Sequence, residues 1–430
     1  MIVVRKFFLG LAALALVALI AGLVTNNPTW WQPAAVSLAL GVAIGLGAIP
    51  ALKGYQYTAW IIAAVVAAMI YPASFLHWGD LNLRNKYLLL VVVQLVMFGM
   101  GTQMSLRDFA GVMKMPWGVF VAVAGQFLIM PLSGFLLTKV FPLPDEIAAG
   151  VILIGACSSG LASNVMCYIA KANLALSITA TSVTTLLAPF LTPMWMKVLA
   201  GELVEVKFFN MMLEIFKIVI VPIGAALLHD YLKHASAVGR RRVAWLAAIS
   251  AVVCGYFLSG WSPLNAPDLS ANTRAGLELG GFACGAWVFG WAYHALTRQW
   301  ASLDARMPLI SMAGIVYFTT VTTAAGRDSL LMVGGLLFLV AVLHNAAGYF
   351  FGYWLARACR LDKASCRTVA IEVGLQNGGM ASGLAAAMGR LGTVGLAAAV
   401  FSPWMNISGS ILANYWKRRP ADERSTKEPQ

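Results

Sequence analysis

Glu372 stands alone in an otherwise apolar run that ends VAIEVGLQNGGMASGLA. An ionised carboxylate at membrane depth costs at least ~2.5–3.5 kcal/mol even on lenient insertion scales, so it needs a partner. Nearly every other acidic residue lies in a loop or near the end of an apolar segment, within reach of water. Beside Glu372, Gln376 and Asn377 offer oxygen ligands, and Gly378 and Gly379 are expected to interrupt a helix. Gln376 is four residues from Glu372 and therefore shares its helix face; Ser177 and Thr181 have the same spacing in another apolar segment. A lone serine or threonine in a membrane helix usually bonds its own backbone. Grouped with Ser163, Asn164 and a buried carboxylate, these hydroxyls read instead as an all-oxygen shell for sodium. Gln126, in GQFLIMP, is a further candidate to face the same place.

The chain that must position these groups has 430 residues, 60% hydrophobic and 11% charged, with a mean hydropathy of +0.78. Soluble domains carry about 25% charged residues, so this composition sets a polytopic membrane protein embedded in a lipid bilayer. Fourteen apolar segments are long enough to cross as helices: 7–24, 34–50, 58–77, 87–105, 116–138, 146–170, 174–198, 208–230, 243–261, 276–297, 308–325, 330–357, 366–388 and 393–416. With the N-terminus in the cytoplasm, 21 of the 30 basic residues fall in cytoplasmic segments, which fixes the orientation. Both termini are then expected in the cytoplasm, with the protein in the inner (plasma) membrane. The formal charge of +13 is explained by such loops facing anionic lipid, and no nucleic-acid partner is expected. The six cysteines form neither a disulfide framework nor a zinc spacing and read as small core residues. Gly41/Gly45 and Gly281/Gly285 are spaced to pack helices closely.

Two stretches resemble each other. Ser159-Gly160-Leu161-Ala162-Ser163-Asn164 and Gly378-Gly379-Met380-Ala381-Ser382-Gly383 each lie midway through an apolar segment, and each is followed by a span with a proline motif, Leu191–Trp195 or Phe401–Met405. These are the sixth and thirteenth segments, seven apart, so they enter the membrane from opposite sides. Interrupted helices at equivalent positions of inverted halves are the best sequence pointer to a secondary transporter's site. Broken backbone frees amides and carbonyls that lipid cannot satisfy, and these suit an anion and a hard cation respectively.

The stretch 152–201 (ILIGACSSGLASNVMCYIAKANLALSITATSVTTLLAPFLTPMWMKVLAG) resembles the bile acid:sodium symporter family, as do IEVGLQNGGMASGLA (371–385), FSPWMNISGSILANYW (401–416), QFLIMP and LHNAAGYFFGYWLA. The resemblance covers about 58–240 and 303–417. It implies an all-α unit of ten helices in two inverted repeats, 58–200 and 208–417, divided into core and panel domains with two broken crossing helices. To this unit the chain adds an N-terminal hairpin (1–50), a hairpin inserted at 242–302 and a cytoplasmic tail (418–430). The resemblance further implies two sodium ions, one held by Ser163, Asn164, Ser177, Thr181 and Glu372. The other is implied to be held by Gln126, Glu372, Gln376 and the main-chain carbonyls of Val373 and Leu375. It implies a substrate cavity at Ser158, Ser159, Gly160, Leu161, Asn377, Met405 and Asn406. Relatives often read Pro-Gly-Gly-Thr where this chain has Ser158–Leu161, and His-Asn where it has Met405-Asn406. Those departures spare the sodium ligands and put bile acid or pantoate-like substrates in doubt.

The expected function is sodium-coupled import of a small organic anion, a carboxylate by preference. Enzymatic chemistry is not expected: the five histidines are scattered, and no helix carries two acids at a suitable spacing. His344 reads as a packing histidine, and Glu214 with Lys217 as an ion pair. The alternative is a proton-coupled carrier of an organic acid using Glu372.

Overall fold

The computed structural model describes residues 2–259, 262–265, 269–419 and 421; the expected tail from 422 onward and the last two residues of the 243–261 segment lie outside the described residues. In chain order the helices are α1 (Ile2–Val24), α2 (Pro28–Gly45), α3 (Gln56–Ile70), α4 (Lys86–Gly101), α5 (Gly111–Lys114), α6 (Pro116–Val140), α7 (Asp145–Ala156), α8 (Ala162–Ile169) and α9 (Leu174–Ala200). They continue as α10 (Phe208–Ile215), α11 (Val221–His234), α12 (Ala237–Leu258), α13 (Ala271–Gln299), α14 (Ser302–Ala325), α15 (Arg327–Ala358), α16 (Lys363–Gly374), α17 (Gly378–Ala387) and α18 (Val394–Lys417). A two-residue β-hairpin, His77–Trp78 with Leu81–Asn82, follows α3.

Among the described residues, nine helices are long and apolar enough to span a membrane, counting α10–α11 as one through the π-helical turn Phe216–Ile220. The expected segment 58–77 is shorter in the fold, because Pro72 follows closely on the end of α3. The segment expected at 34–50 begins earlier, at Pro28, with Asn27 capping the helix, and ends as α-helix at Gly45.

The helices fall into two groups. In one, α14 packs on α3 and α4, and α11 packs on α4. The other holds α6, α7, α8, α9, α15, α16, α17 and α18, and α4 meets it through α17. The N-terminal hairpin leans on α3 through α2, and the inserted hairpin leans on α11 through α13. Both additions therefore join the first group. Gly41 and Gly45 do the packing expected of them, since a Cβ on either would press into α1. Of the second pair only Gly281 meets a neighbour, since a Cβ there would lie 3.8 Å from the Phe257 ring of α12; a Cβ on Gly285 would meet nothing within 4 Å. The close approach is made by Gly290, where a Cβ would lie 2.6 Å from Ala225 O.

Polar ties reinforce this attachment at both ends of α13. Lys217, buried in the π-helical turn, pairs with Glu214 at 2.5 Å, as its spacing suggested, and with Glu278 of α13 at 3.2 Å. Near the other end His294 Nδ1 lies 3.3 Å from His229 Nδ1 on α11, and Lys233 pairs with Asp304 at 2.6 Å. Cys157, Cys167 and Cys366 are buried and the other three cysteines half-buried, all as free thiols.

The loop before α16 shows how local chemistry sets the start of a site helix. Asp362 accepts from the Ser365 amide at 3.0 Å and caps α16. Burial raises the Asp362 pKa, but the Ser365 hydroxyl and amide outweigh it and hold the carboxyl below its usual range. A depressed folded pKa means stability present above the unfolded value and lost as pH falls through the folded one. Asp362→Ala is expected to lower stability by ~1 kcal/mol at neutral pH. The thermal midpoints of the two proteins should converge on acidification.

Candidate functional site

Two helices break in mid-course and cross. The chain leaves α7 after Ala156 and resumes as α8 at Ala162; it leaves α16 after Gly374 and resumes as α17 at Gly378. At the crossing Gly160 N donates to Leu375 O at 2.8 Å, and Asn377 N donates to Ser158 O at 2.9 Å. These bonds frame an antiparallel bridge between Ser159 and Gln376. Each break thus satisfies backbone groups that the other frees, the condition for irregular chain inside a membrane protein. A Cβ on Gly160 would lie 2.7 Å from Gln376 O, so only glycine permits this approach.

Side chains complete the accounting. Thr192 Oγ1 donates to Ala156 O at 2.7 Å, and Gln126 Nε2 to Cys157 O at 2.8 Å. Asn345 Nδ2 donates to Gly374 O at 2.8 Å and is itself held by Ser408 Oγ at 2.6 Å. Sequence reasoning missed Thr192, Asn345 and Ser408 as supports of the breaks. The available signal was that each is a polar residue within an apolar span. It also placed the second interruption at Gly378 and Gly379, whereas the break is Leu375–Asn377 and the glycines open α17. Asn377 caps that helix through Met380 N at 3.0 Å, so the helix restarts immediately after it. The glycines serve packing: a Cβ on Gly378 would collide with Ser402 Oγ, and one on Gly379 would lie 3.1 Å from Met97 Cε of α4.

Beside the crossing lies a cluster of oxygens. Glu372 is 1% exposed, and its Oε1 accepts from Ser177 Oγ at 2.5 Å while Oε2 accepts from Thr181 Oγ1 at 2.8 Å. Asn164 Oδ1 is 2.8 Å from Ser177 Oγ and 3.3 Å from Thr181 Oγ1, and Ser163 Oγ is 3.3 Å from Thr181 Oγ1. Helices α8, α9 and α16 therefore bring six oxygens together. Ser163, Ser177 and Thr181 bring only three hydroxyl protons to these six oxygens. Acceptors outnumber protons and one carboxylate is present, which is the chemistry of a cation site. Among the described residues no three His, Cys, Asp or Glu side chains group as a metal site, so hydroxyl and amide oxygens are the donors on offer.

A second polar group lies on the other side of Ser159. Its hydroxyl donates to Glu372 O at 3.2 Å and to Gln126 Oε1 at 3.4 Å. Gln126 Nε2 donates to Gln376 Oε1 at 2.6 Å, and Gln376 Nε2 to Val373 O at 2.6 Å. Glu372 contributes its main-chain carbonyl here, while its carboxylate is bonded within the first cluster. Leu375 O is engaged by Gly160 across the break.

The remaining sequence candidates surround the crossing. Ser158 is buried beside Thr185, Oγ to Oγ1 3.4 Å, and Leu161 stands half-buried at the start of α8. Asn377 Nδ2 points at Met100 Sδ of α4 at 3.9 Å, and Met405 Sδ accepts from Gln376 N at 3.3 Å. Asn406 instead bonds its own helix at Ser402 O, 2.8 Å. His344 is buried, with Nε2 against Met130 O at 2.9 Å and Nδ1 without a partner, so its packing role leaves half the ring unsatisfied. Between α10 and the end of α17 a cavity of about 250 Å³ is lined by Lys207, Asn210 and Glu214 on one side and Leu384, Met388 and Arg390 on the other. Arg390 pairs with Glu146 at its edge.

Crossed, broken helices in a polytopic helical protein define the class as a membrane transporter. The fold matches the sodium proton antiporter MjNhaP1 from Methanocaldococcus jannaschii at pH 8 with a TM-score of 0.53, covering 91% of this chain and 99% of that one at 15% identity. At that identity the likeness is one of fold. Residues 90–261 match the model of the Sodium Bile acid symporter family. The chain is 33% identical to the "Uncharacterized sodium-dependent transporter YocS" of Bacillus subtilis (strain 168), over 85% of this chain and 92% of the relative. It is 28% identical to the "Probable sodium/metabolite cotransporter BASS1, chloroplastic" of Arabidopsis thaliana, over 84% and 72%. It is 27% identical to the "Ileal sodium/bile acid cotransporter" of Homo sapiens, over 72% of each chain. The protein belongs to the Sodium Bile acid symporter family, a family of sodium-dependent transporters.

Proposed function

We propose that the protein imports a small organic anion together with two sodium ions by alternating access across the plasma membrane. The observation that carries this reading is the proton-poor oxygen cluster around Glu372 at the crossing of the two breaks. In it, Ser163, Asn164, Ser177, Thr181 and Glu372 hold the first sodium. Gln126, Glu372, Gln376 and the carbonyls of Val373 and Leu375 hold the second, after the amides of Gln126 and Gln376 rotate to present oxygen. The substrate then sits against Ser158–Leu161, Asn377, Met405 and Asn406, where the α8 and α17 N-termini offer partial positive charge. Relatives whose names specify sodium with bile acid or metabolite support an organic anion as cargo, and do not favour a proton-coupled carrier.

In this reading the chain crosses fourteen times with both termini in the cytoplasm. Repeats 58–200 and 208–417 are inverted copies around the hairpin inserted at 242–302. The group containing α6–α9 and α15–α18 is the moving core, and the group of α3, α4, α10–α11 and α14 is the panel.

Charge bookkeeping predicts an electrogenic cycle. Two sodium ions against Glu372 leave +1, and a monocarboxylate brings the loaded site to zero, whereas the empty carrier returns with −1. One positive charge enters per turnover, worth ~2.3 kcal/mol per 100 mV. The test is uptake into proteoliposomes at fixed sodium gradient and varied potential, with substrates found by screening small carboxylates and sulfonates for sodium-dependent thermal stabilisation. An inside-negative potential of ~100 mV should raise accumulation by on the order of 50-fold at equilibrium, that energy expressed as a ratio. Accumulation that ignores the potential, or flux that ignores sodium, overturns the stoichiometry.

A further inference from the structure

The inserted hairpin creates a space that the transport cycle does not use. Helices α11 and α12 are joined by two residues (235–236), yet they scarcely touch; α13 packs on both and forms the floor between them. The result is a groove of about 520 Å³, within the roughly 300–1,000 Å³ typical of ligand sites. Leu227, Leu228, Val243, Leu246 and Trp287 line it. Two glycines show how it arises. Gly290 draws α13 onto Ala225, as described above, while a Cβ on neighbouring Gly224 would meet nothing within 4 Å. One side of α11 is thus sealed and the other open.

The head of the groove is polar. Tyr231 and Arg242 line it, and the Tyr231 hydroxyl lies over Gly239, where a Cβ would be 2.9 Å away. Arg240, Arg241 and Arg242 follow in sequence, all exposed. Among the described residues, the guanidinium groups of Arg241 and Arg242 make no ion pair or hydrogen bond, and that of Arg240 bonds only the Ala235 carbonyl at 2.9 Å. Of the carboxylates on the adjoining helices, Asp304 is matched by Lys233, and Asp230, next to Tyr231 in the chain, accepts from Ser105 Oγ at 3.0 Å. One cation without a carboxylate partner, Arg242, therefore stands at the mouth of the apolar groove, with Arg240 and Arg241 beside it on the same turn of α12.

We propose that this groove binds an anionic phospholipid, with an acyl chain along α11, α12 and α13 and the phosphate at Arg242 and Tyr231. The positive-inside orientation puts this mouth at the cytoplasmic leaflet, where anionic lipid concentrates. The wall explains the tail, and Arg242, with no carboxylate partner, explains the head; a soluble phosphate would use only the second. Bound lipid fills the gap between α11 and α12 and fastens the hairpin to the first helix group.

The test is native mass spectrometry and thermal shift on delipidated full-length protein. The probes are phosphatidylglycerol, phosphatidylcholine with the same chains, and glycerol 3-phosphate. Phosphatidylglycerol should bind and stabilise in preference to phosphatidylcholine, and glycerol 3-phosphate should do neither. Arg242→Ala should cut the preference roughly five-fold, the worth of one cation near an anionic surface. Gly224→Leu, which adds a side chain to the groove wall where a Cβ would meet nothing within 4 Å, should abolish retention of phosphatidylglycerol without lowering the lipid-free thermal midpoint. Equal binding of the two lipids, stabilisation by glycerol 3-phosphate alone, or unchanged binding in Gly224→Leu would each overturn the assignment.

Discussion

Glu372→Gln is expected to abolish sodium-driven uptake while leaving the sodium-free protein at least as stable as the wild type. The substitution keeps the shape of the side chain and an acceptor for Ser177 or Thr181, but removes the buried charge. A pair of unit charges ~4 Å apart at an effective dielectric near 20 interacts by about 4 kcal/mol, so sodium affinity should fall on the order of 10³-fold. Without sodium the sign reverses, because an uncompensated buried carboxylate is itself unfavourable. Thermal denaturation with and without sodium separates the two effects: wild type should gain stability with sodium and the variant should not. A sodium-dependent rise in Glu372→Gln equal to that of wild type would remove the basis of the proposed function.

Gly160→Ala carries the next largest effect. Its Cβ would lie 2.7 Å from Gln376 O, a backbone atom that cannot rotate away. The two breaks must then separate, giving up the Gly160 N to Leu375 O and Asn377 N to Ser158 O bonds. A buried backbone group left unpaired costs about 1–3 kcal/mol, so a thermal midpoint lowered by many degrees and at least a ten-fold loss of transport are expected. Gly335→Ala is the control, since a Cβ there meets nothing within 4 Å. It should be silent or slightly stabilising, as alanine is the better helix residue. Equal behaviour of the two variants would mean that the crossing does not depend on this contact.

Much of the site was legible because membrane depth makes polar residues conspicuous. Glu372, Gln126, Ser177 and Thr181 stand out against apolar neighbours, and the i, i+4 spacing puts the last two on one face. The structure brings these side chains together with Ser163, Asn164 and Gln376. Less legible was how Glu372 divides its atoms, carboxylate to one cluster and carbonyl to the other, because that depends on the pitch at which α16 meets α8. The glycines misled in two places. Gly378 and Gly379 looked like a break and are a packing surface, while Gly285 looked like half of a packing pair with Gly281 and faces open space. Glycine spacing states where close approach is permitted; only a neighbour's position says whether it happens.

From the order of residue types alone follow a membrane protein, two interrupted helices and a buried carboxylate that needs partners, since hydrocarbon penalises each polar atom wherever it sits in the chain. Tertiary structure alone decided that the interruptions pair through Gly160, Leu375, Ser158 and Asn377. It also decided that the inserted hairpin stands off from α11 and leaves a groove. Both depend on distances between segments far apart in sequence. Such distances come from how helices pack, and no single segment encodes them.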